Sequence, residues 1–290
     1  MPEDWNLFER NSGTEPMMIF MNTDLKEKAP IQGLSRLVSV IFNMYSLWDS
    51  AGSSSKRAQD LFYTLEDKLM QRMQESEQAI YVGRISVQNK MELYFYAAES
   101  EEWESKAAQI MADFPSFRYY SSIRQDEDWS FYLQEMYPTA LEEQWMRNAK
   151  ISYALNRHGD KAEIVREVEH WLHFASKISM DEVKGKAGLL GYMIMQAELD
   201  ASRPVNPYVL QLRKKHALDL ATVNIVTKEL FTLAAEAGGT YDGWGTRLKL
   251  KFPAKLRFTF NRLIKRPLYV RLTLGILTLL VIGAVVWRFI

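Results

Sequence analysis

The stretch AIYVGRISVQNKMELYFYAA, residues 79–98, decides the fold of the first half of the chain. Its two apolar runs, AIYVGRISV and MELYFYAA, are rich in β-branched and aromatic residues, and the polar residues Gln88, Asn89 and Lys90 separate them. Two such runs with a short polar connection are typical of a β-hairpin. We therefore expect two antiparallel strands here.

Helix-like and strand-like segments lie on both sides of this hairpin. Apolar residues recur at helical spacing over residues 56–75 and 101–114, and Ser100 and Pro115 are the predicted N-cap and stop of the second helix. Strand-like runs, LSRLVSVIFNMYS and FRYYSSI, stand outside the two helices. The order is β-α-β-β-α-β, that of a ferredoxin-like unit. The segments DWNLFER and MMIFM before this order, and DWSFYLQEMY after it, are predicted to extend the sheet.

The same order of elements occurs a second time. Thr139 and Glu142 have the spacing of a capping box and begin a connecting helix, and one side of it carries Leu141, Trp145, Ala149, Ser152 and Leu155. EIVREVEHWLHF, GYMIMQAEL, YVLQLRKKHAL and TYDGWGTRLKL are then predicted strands, with one helix over residues 177–190 and another that begins after Asp219 and ends at Gly238 and Gly239.

The chain is therefore predicted to be α+β, with two tandem ferredoxin-like units whose helices cover one face of each antiparallel sheet. The predicted segments are an N-terminal domain at 1–138, a connecting helix and linker at 139–162, a second domain at 163–250, a basic segment at 251–267 and a transmembrane helix at 268–290.

Composition excludes several classes of chemistry. The chain has no cysteine, which excludes disulfides, Cys-ligated zinc, iron–sulfur clusters and thiol catalysis. The acidic, polar start MPEDWNLFER does not have the pattern of a secretory signal. Residues 1–246 contain all 36 acids of the chain but only 26 of its 36 bases, so they carry a charge of about −10. Because phosphate is neutralised by a positive face, no direct nucleic-acid partner is expected.

The C-terminal residues predict a membrane anchor. LTLGILTLLVIGAVVW, residues 272–287, contains no charge, and residues 268–290 would form about 34 Å of helix, enough to span a bilayer. Bases concentrated before this span place the larger N-terminal part in the cytoplasm. The predicted contacts with anionic lipid are Lys255, Arg257, Arg262, Lys265, Arg266 and Arg271. RNA binding by residues 255–266 is the alternative.

The second half resembles a known family. VEHWLHF at 168–174 and the helix and strand LATVNIVTKELFTLAAEAGGTYDGWGT at 220–246 are similar to the regulator of ribonuclease E activity B family. Matching residues are Glu169, His170 and Leu172, with the specific run Tyr241 to Thr246. The resemblance implies a non-enzymatic protein that binds and restrains an endoribonuclease. The first half looks like a domain family of unknown function that often precedes such a unit.

This sequence differs from the stand-alone regulators in two features that bear on which partner it binds. A basic segment stands where those proteins have a long acidic tail, and an apolar segment is added after it. The candidate partner-binding residues, taken from the matched motifs, are Tyr241, Asp242, Trp244, Glu169 and His170. For Trp244, packing inward beside a bulge and exposure as an anchor both stay open.

Motifs for catalysis, cofactors or metals are not found, so no catalytic, cofactor-binding or metal-binding residue is assigned. His170 and His173, three apart on a strand, are expected on opposite faces. The other tryptophans, Trp103, Trp129, Trp145 and Trp171, are expected in the core or on a sheet face.

The sequence thus favours a membrane-anchored, non-enzymatic regulator that presents two domains to a cytoplasmic protein partner, with a ribonuclease as the candidate. The alternative from another class is a metal-dependent hydrolase in the first domain, which would use Asp126, Glu127 or Asp128.

Overall fold

A computed structural model describes residues 4–11, 15–44, 56–75, 78–99 and 102–247. The chain divides into two compact units, the first being Met1–Lys150 with Thr227–Phe231 and the second Ile151–Val226 with Thr232–Ile290. Both contain an antiparallel sheet and helices, so the predicted α+β class is confirmed.

The first unit is built on a six-stranded antiparallel sheet. Its elements are β1 (Trp5–Asn11), β2 (Pro16–Asn22), β3 (Arg36–Asn43), α1 (Lys56–Gln74), β4 (Ala79–Val87), β5 (Lys90–Ala97), α2 (Trp103–Met111) and β6 (Arg118–Gln125). The strand order is β1-β2-β4-β5-β3-β6. The predicted hairpin is the β4–β5 pair, and β1 and β2 extend the sheet as predicted.

The segment DWSFYLQEMY does not extend the sheet. Phe131–Met136 form a π-helix, and Trp129, Tyr132 and Met136 from this segment pack with Tyr96, Val82 and other residues in a core cluster. Another cluster joins β3, β4 and β5 to α1 and α2. The sheet therefore has a separate core on each face, and the prediction that helices cover one face only is wrong for this unit.

One predicted helix end is also corrected. Glu102, without a side-chain capping bond, is the N-cap of α2, and Ser100 lies outside the described residues. In α3 (Ala140–Arg157) the fully buried side chains are polar, namely Glu142, Gln144 and Asn148, and the residues predicted along one side, among them Trp145 and Leu155, are half-buried. Glu142 is buried because it bonds to Arg10 and to the backbone N–H of Thr139.

The second unit has β7 (Arg166–Phe174), α4 (Lys177–Leu189), β8 (Met193–Leu199), β9 (Tyr208–His216), α5 (Leu220–Glu236) and β10 (Thr240–Thr246). The strand order of its antiparallel sheet is β10-β7-β9-β8. As predicted, Asp219 caps α5, and Gly238 after its end has a φ of +66°. Side chains alternate along β7, where Val168 and Leu172 are buried and Glu167 and Glu169 reach solvent. We call the face that carries Glu167 and Glu169 the outer face.

The predicted membrane anchor at 268–290 and basic segment at 251–267 lie outside the described residues. Among the helices within 4–247 that the structure describes, none combines the length and apolar character needed to cross a membrane.

Candidate functional site

The two motifs that carry the family resemblance are neighbouring strands. YDGWGT forms most of β10 and pairs antiparallel with EHWLHF in β7, so that Tyr241 lies opposite Leu172 and Trp244 opposite His170. The register shifts between Tyr241 and Gly243, which leaves Asp242 as the extra residue of a β-bulge. Gly243 has a φ of +147°, a conformation that favours glycine.

The bulge explains why Tyr241 and Trp244 can both be buried. In a regular strand, residues three apart point to opposite faces. The extra residue restores the same face, and Trp244, only 7% exposed, packs with Val168, Leu218 and Val223. Of the two interpretations that the sequence left open for Trp244, the structural bulge with an inward ring is the observed one.

His170, 1% exposed, belongs to a buried chain of hydrogen bonds. Its Nδ1 lies 2.9 Å from the hydroxyl of Tyr241, its Nε2 lies 3.4 Å from Nε2 of His216, and Nδ1 of His216 lies 2.6 Å from the carbonyl oxygen of Ala217. One assignment satisfies all three contacts: Tyr241 donates to His170, His170 donates through Nε2, and His216 donates to the carbonyl. Both imidazoles are then neutral, and a proton added at Nε2 of His216 would face another N–H.

This arrangement predicts acid sensitivity of the second unit. Burial, with the nearby His216 and Lys214, lowers the pKa of His170 to about 3, and burial also lowers the pKa of His216. A histidine with a lowered folded pKa contributes stability above its unfolded pKa of about 6.5, and this contribution is lost as pH falls. Between pH 7 and pH 5, His170 alone should reduce the free energy of unfolding by about 2 kcal/mol.

Urea unfolding of the full chain at the two pH values, followed by a probe in the second unit, measures this loss. His170→Gln keeps a donor and an acceptor but does not titrate, so the pH dependence should become about 2 kcal/mol shallower. An unchanged pH dependence in this variant would contradict the assignment.

His173 is buried on the other face of β7, as its spacing predicts. Its Nε2 lies 3.2 Å from a carboxylate oxygen of Asp242, whose side chain is 61% exposed. Within the described ranges, no group of three or more histidine, aspartate or glutamate side chains is placed to hold a metal ion.

The outer face carries a set of polar contacts around one aromatic ring. Arg213 on β9 bonds to Glu169 at 2.6 Å and lies 3.3 Å from Glu167. Gln211 donates to Glu169 at 3.0 Å. Beside them the half-buried ring of Trp171 crosses to β10, where a Cβ on Gly245 would lie 3.3 Å from the ring atoms Cη2 and Cζ3. A groove of about 700 Å³ lies here, and its lining includes Glu167, Glu169, Trp171, Arg213, Lys215, Gly245, Thr246 and Arg247.

Comparisons with known proteins match each half of the chain. Residues 3–137 match a family of unknown function, and residues 145–246 match regulator of ribonuclease activity B. A regulator of ribonuclease activity B from Xenorhabdus nematophila is 30% identical over 112 residues, which are 38% of this chain and 78% of that protein. One from Colwellia psychrerythraea is 32% identical over 113 residues, 36% of this chain and 91% of that protein. The chain belongs to the regulator of ribonuclease activity B family.

A crystal structure of an unknown protein from Galdieria sulphuraria matches 72% of this chain and 96% of its own, at 11% identity. Its TM-score of 0.18 is too low to support an argument about the fold.

For this regulator family member, the structure separates the five candidate partner-binding residues into two groups. Tyr241, Trp244 and His170 are buried and hold β10 to the rest of the unit. Asp242 and Glu169 reach the surface. Trp171, which was expected in the core or on a sheet face, and Arg213 were not among the candidate residues. The alternation along β7, which puts Trp171 on the same face as Glu167 and Glu169, was the signal that could have identified the ring.

In the acidic run of the first unit, Asp126 is occupied by hydrogen bonds to its own segment and to Tyr96. One oxygen of Asp126 accepts from the N–H and hydroxyl of Ser130, and the other accepts from Phe131 N–H and the Tyr96 hydroxyl. Burial opposes ionisation, but the hydrogen bonds from Ser130 and Tyr96 hold the pKa of Asp126 below its usual value. Glu127 and Asp128 are exposed. Asp126 is therefore placed as a structural acceptor that begins the π-helix segment.

Proposed function

We propose that this protein is a non-enzymatic regulator that binds a cytoplasmic endoribonuclease of the ribonuclease E class and lowers its activity. The observation that carries this proposal is the match of residues 145–246 to regulators of ribonuclease activity B, which extends over 78% and 91% of two such proteins. The motif residues that carry the resemblance are also the residues that fix β10 on β7. The matched unit therefore has the contacts that its motif requires.

The element and strand orders support a finer assignment of the fold. In the second unit, β7-α4-β8-β9-α5-β10 with the sheet order β10-β7-β9-β8 is what a ferredoxin-like unit requires. The elements from β3 to β6 of the first unit follow the same order, with β1 and β2 added beside β4. We assign both units to this fold. The first unit has in addition the core cluster that packs the π-helix segment against the other face of its sheet.

The membrane part of the proposal is supported by sequence alone. An uncharged run at 272–287, preceded by nine bases from Arg247 onward, fits a single span with the two units in the cytoplasm. The six bases from Lys255 to Arg271 named above would then lie against anionic lipid. In this arrangement the regulator acts on ribonuclease molecules at the membrane surface.

Asp242 and Glu169 are the proposed partner contacts, because within the motif set Asp242 is exposed and Glu169 is half-buried, whereas the other three candidates are buried. Reversing the charge with Asp242→Lys should weaken ribonuclease binding about tenfold, as expected when one charge at an interface rim is reversed. The measurement uses the full chain in detergent and purified ribonuclease E, with binding by surface plasmon resonance and RNA cleavage rates as two readouts. Glu236→Lys, an exposed charge reversal on α5, is the matched control and should leave both readouts unchanged.

Unaltered cleavage and no binding at micromolar concentrations of the unsubstituted chain would overturn the proposal. Binding that Asp242→Lys leaves intact would retain the regulator but reject this surface.

A further inference from the structure

The groove on the outer face of the second unit has the properties of a binding site. It measures about 700 Å³ and lies where β7, β9 and β10 run side by side. The described residues that line it belong to these strands or directly adjoin them, and they include one half-buried aromatic side chain, Trp171. A groove with one accessible ring on a central strand is suited to a ligand that contains a planar group.

The position of Trp171 follows from the glycines of β10. Trp171 lies opposite Gly243, and its six-membered ring extends over Gly245. A side chain at Gly245 would need this ring to move, since its Cβ would lie 3.3 Å from two ring atoms. The glycines therefore let the indole lie across the neighbouring strand, and the ring borders the groove as a platform on which another planar group can stack.

Some of the charged side chains that line the groove are paired with each other, and others are not. Glu167 and Glu169 are engaged by Arg213, and Glu169 also accepts from Gln211. Among the residues that the structure describes, neither Lys215, which lies opposite Glu167, nor Arg247 has a carboxylate oxygen within 4.0 Å of its charged group. The charges left for a ligand are therefore both positive. The repeat of a β-strand places Lys215 about 13 Å along β9 from Gln211, which lies opposite Trp171.

We propose that this groove binds single-stranded nucleic acid, with an unpaired base stacked on Trp171 and backbone phosphates at Lys215 and Arg247. Stacking on an aromatic side chain of an open four-stranded sheet, with cations for the phosphates, is a general mode of single-strand recognition. A peptide could also use the ring, but two unpaired cations beside it favour an anionic ligand.

The acidity of residues 1–246 does not oppose this site. The sequence-based expectation of no nucleic-acid partner rested on a charge of about −10 for residues 1–246. Most of this excess is in residues 1–150, with 24 acids and 15 bases, whereas residues 151–246 have 12 acids and 11 bases. The unit that holds the groove is nearly neutral, so local cations determine the sign of the potential there.

Fluorescence anisotropy of labelled, unstructured RNA of about ten nucleotides with the full chain in detergent tests the proposal. Trp171→Ala should weaken binding about tenfold, and Trp171→Phe should restore most of it because a ring is kept. Lys215→Glu should also weaken binding and flatten its salt dependence, whereas Lys184→Glu, on α4, should change neither. With about two phosphates neutralised, affinity should fall roughly sevenfold between 50 and 200 mM salt.

The basic residues 255–266 are present in every variant, so any RNA binding by them is constant. A difference between variants therefore reports on the groove. Binding that survives both Trp171→Ala and Lys215→Glu would assign RNA to another part of the chain and overturn the proposal. So would loss of ribonuclease binding in these variants with RNA binding intact, since the groove would then hold protein. Equal affinity for DNA of the same sequence indicates backbone and base recognition, and tighter binding of RNA indicates a contact to the ribose hydroxyl; both support the site. Ribonuclease affinity is measured separately, so failure here leaves the proposed regulation untouched.

Discussion

Gly83→Ala is expected to prevent stable folding of the first unit. Gly83 follows a bulge in β4, where its φ is +145°. A Cβ at this position would lie 2.2 Å from the carbonyl oxygen of Phe20, 2.7 Å from Cα of Met21 and 2.6 Å from Cε of Met136. Two of these atoms belong to the backbone of the neighbouring strand β2, so no side-chain rotation relieves the clash. Steric overlap and backbone strain together should cost at least about 4 kcal/mol.

Thermal unfolding and regional hydrogen exchange of the full chain measure this effect. The first unit should lose protection and its unfolding temperature should fall by roughly 10 °C or more, while the second unit keeps its protection. Gly33→Ala is the matched control, because Gly33 also has a positive φ, +87°, but no atom lies within 4 Å of its added Cβ. It should cost only the strain, about 1 kcal/mol. A small effect of Gly83→Ala, equal to that of Gly33→Ala, would show that β2 and β4 are not paired this closely.

Much of the fold follows from local patterns. The bounds of β4 agree with the run AIYVGRISV, and the helices α1, α4 and α5 lie where apolar periodicity and caps predict them. These elements are predictable because one periodicity, of 2.0 or 3.6 residues, dominates each of them. The segment DWSFYLQEMY was assigned to a strand because aromatic residues are common in strands. Its conformation is instead set by Asp126 and by a tertiary surface for Trp129, which no local pattern reveals.

The candidate site was predictable in position but not in orientation. The run YDGWGT identified the correct strand, yet the inward direction of Trp244 depends on the extra residue Asp242, which reverses the alternation after Tyr241. Alternation along a strand divides its residues between two faces but does not show which face is buried. A bulge also moves every later residue of the strand to the opposite face. Trp171 was expected in the core or on a sheet face, and it is the register with Gly243 and Gly245 that places its ring at the groove.

Replacement of Asp126 distinguishes a structural role from the catalytic alternative for the acidic run. In Asp126→Ala, the N–H groups of Ser130 and Phe131 and the hydroxyl of Tyr96 lose their acceptor. Each buried donor left unpaired costs about 1 kcal/mol or more, so the first unit should lose about 3 kcal/mol. Asp126→Asn should recover only part of this loss, because the amide presents an N–H₂ where the carboxylate accepts.

The neighbouring acids provide the contrast. Glu127→Ala and Asp128→Ala remove exposed carboxylates and should change the free energy of unfolding by less than about 0.5 kcal/mol. Urea unfolding followed by a first-unit probe should therefore single out Asp126. The difference in stability between Asp126→Ala and the unsubstituted chain should also shrink as pH falls through the pKa range of a carboxyl group. The reason is that protonation of Asp126 in the unsubstituted chain removes the ionised acceptor, and with it the stability that its lowered pKa provides. A metal-dependent hydrolase would need the acids to act together on a ligand, and would show equal loss of activity in the three variants with stability unchanged. The geometry favours the opposite result, because Asp126 already accepts four hydrogen bonds, from Ser130, Phe131 and Tyr96. These bonds hold the turn that places Trp129 in the core cluster with Tyr96 and Tyr132.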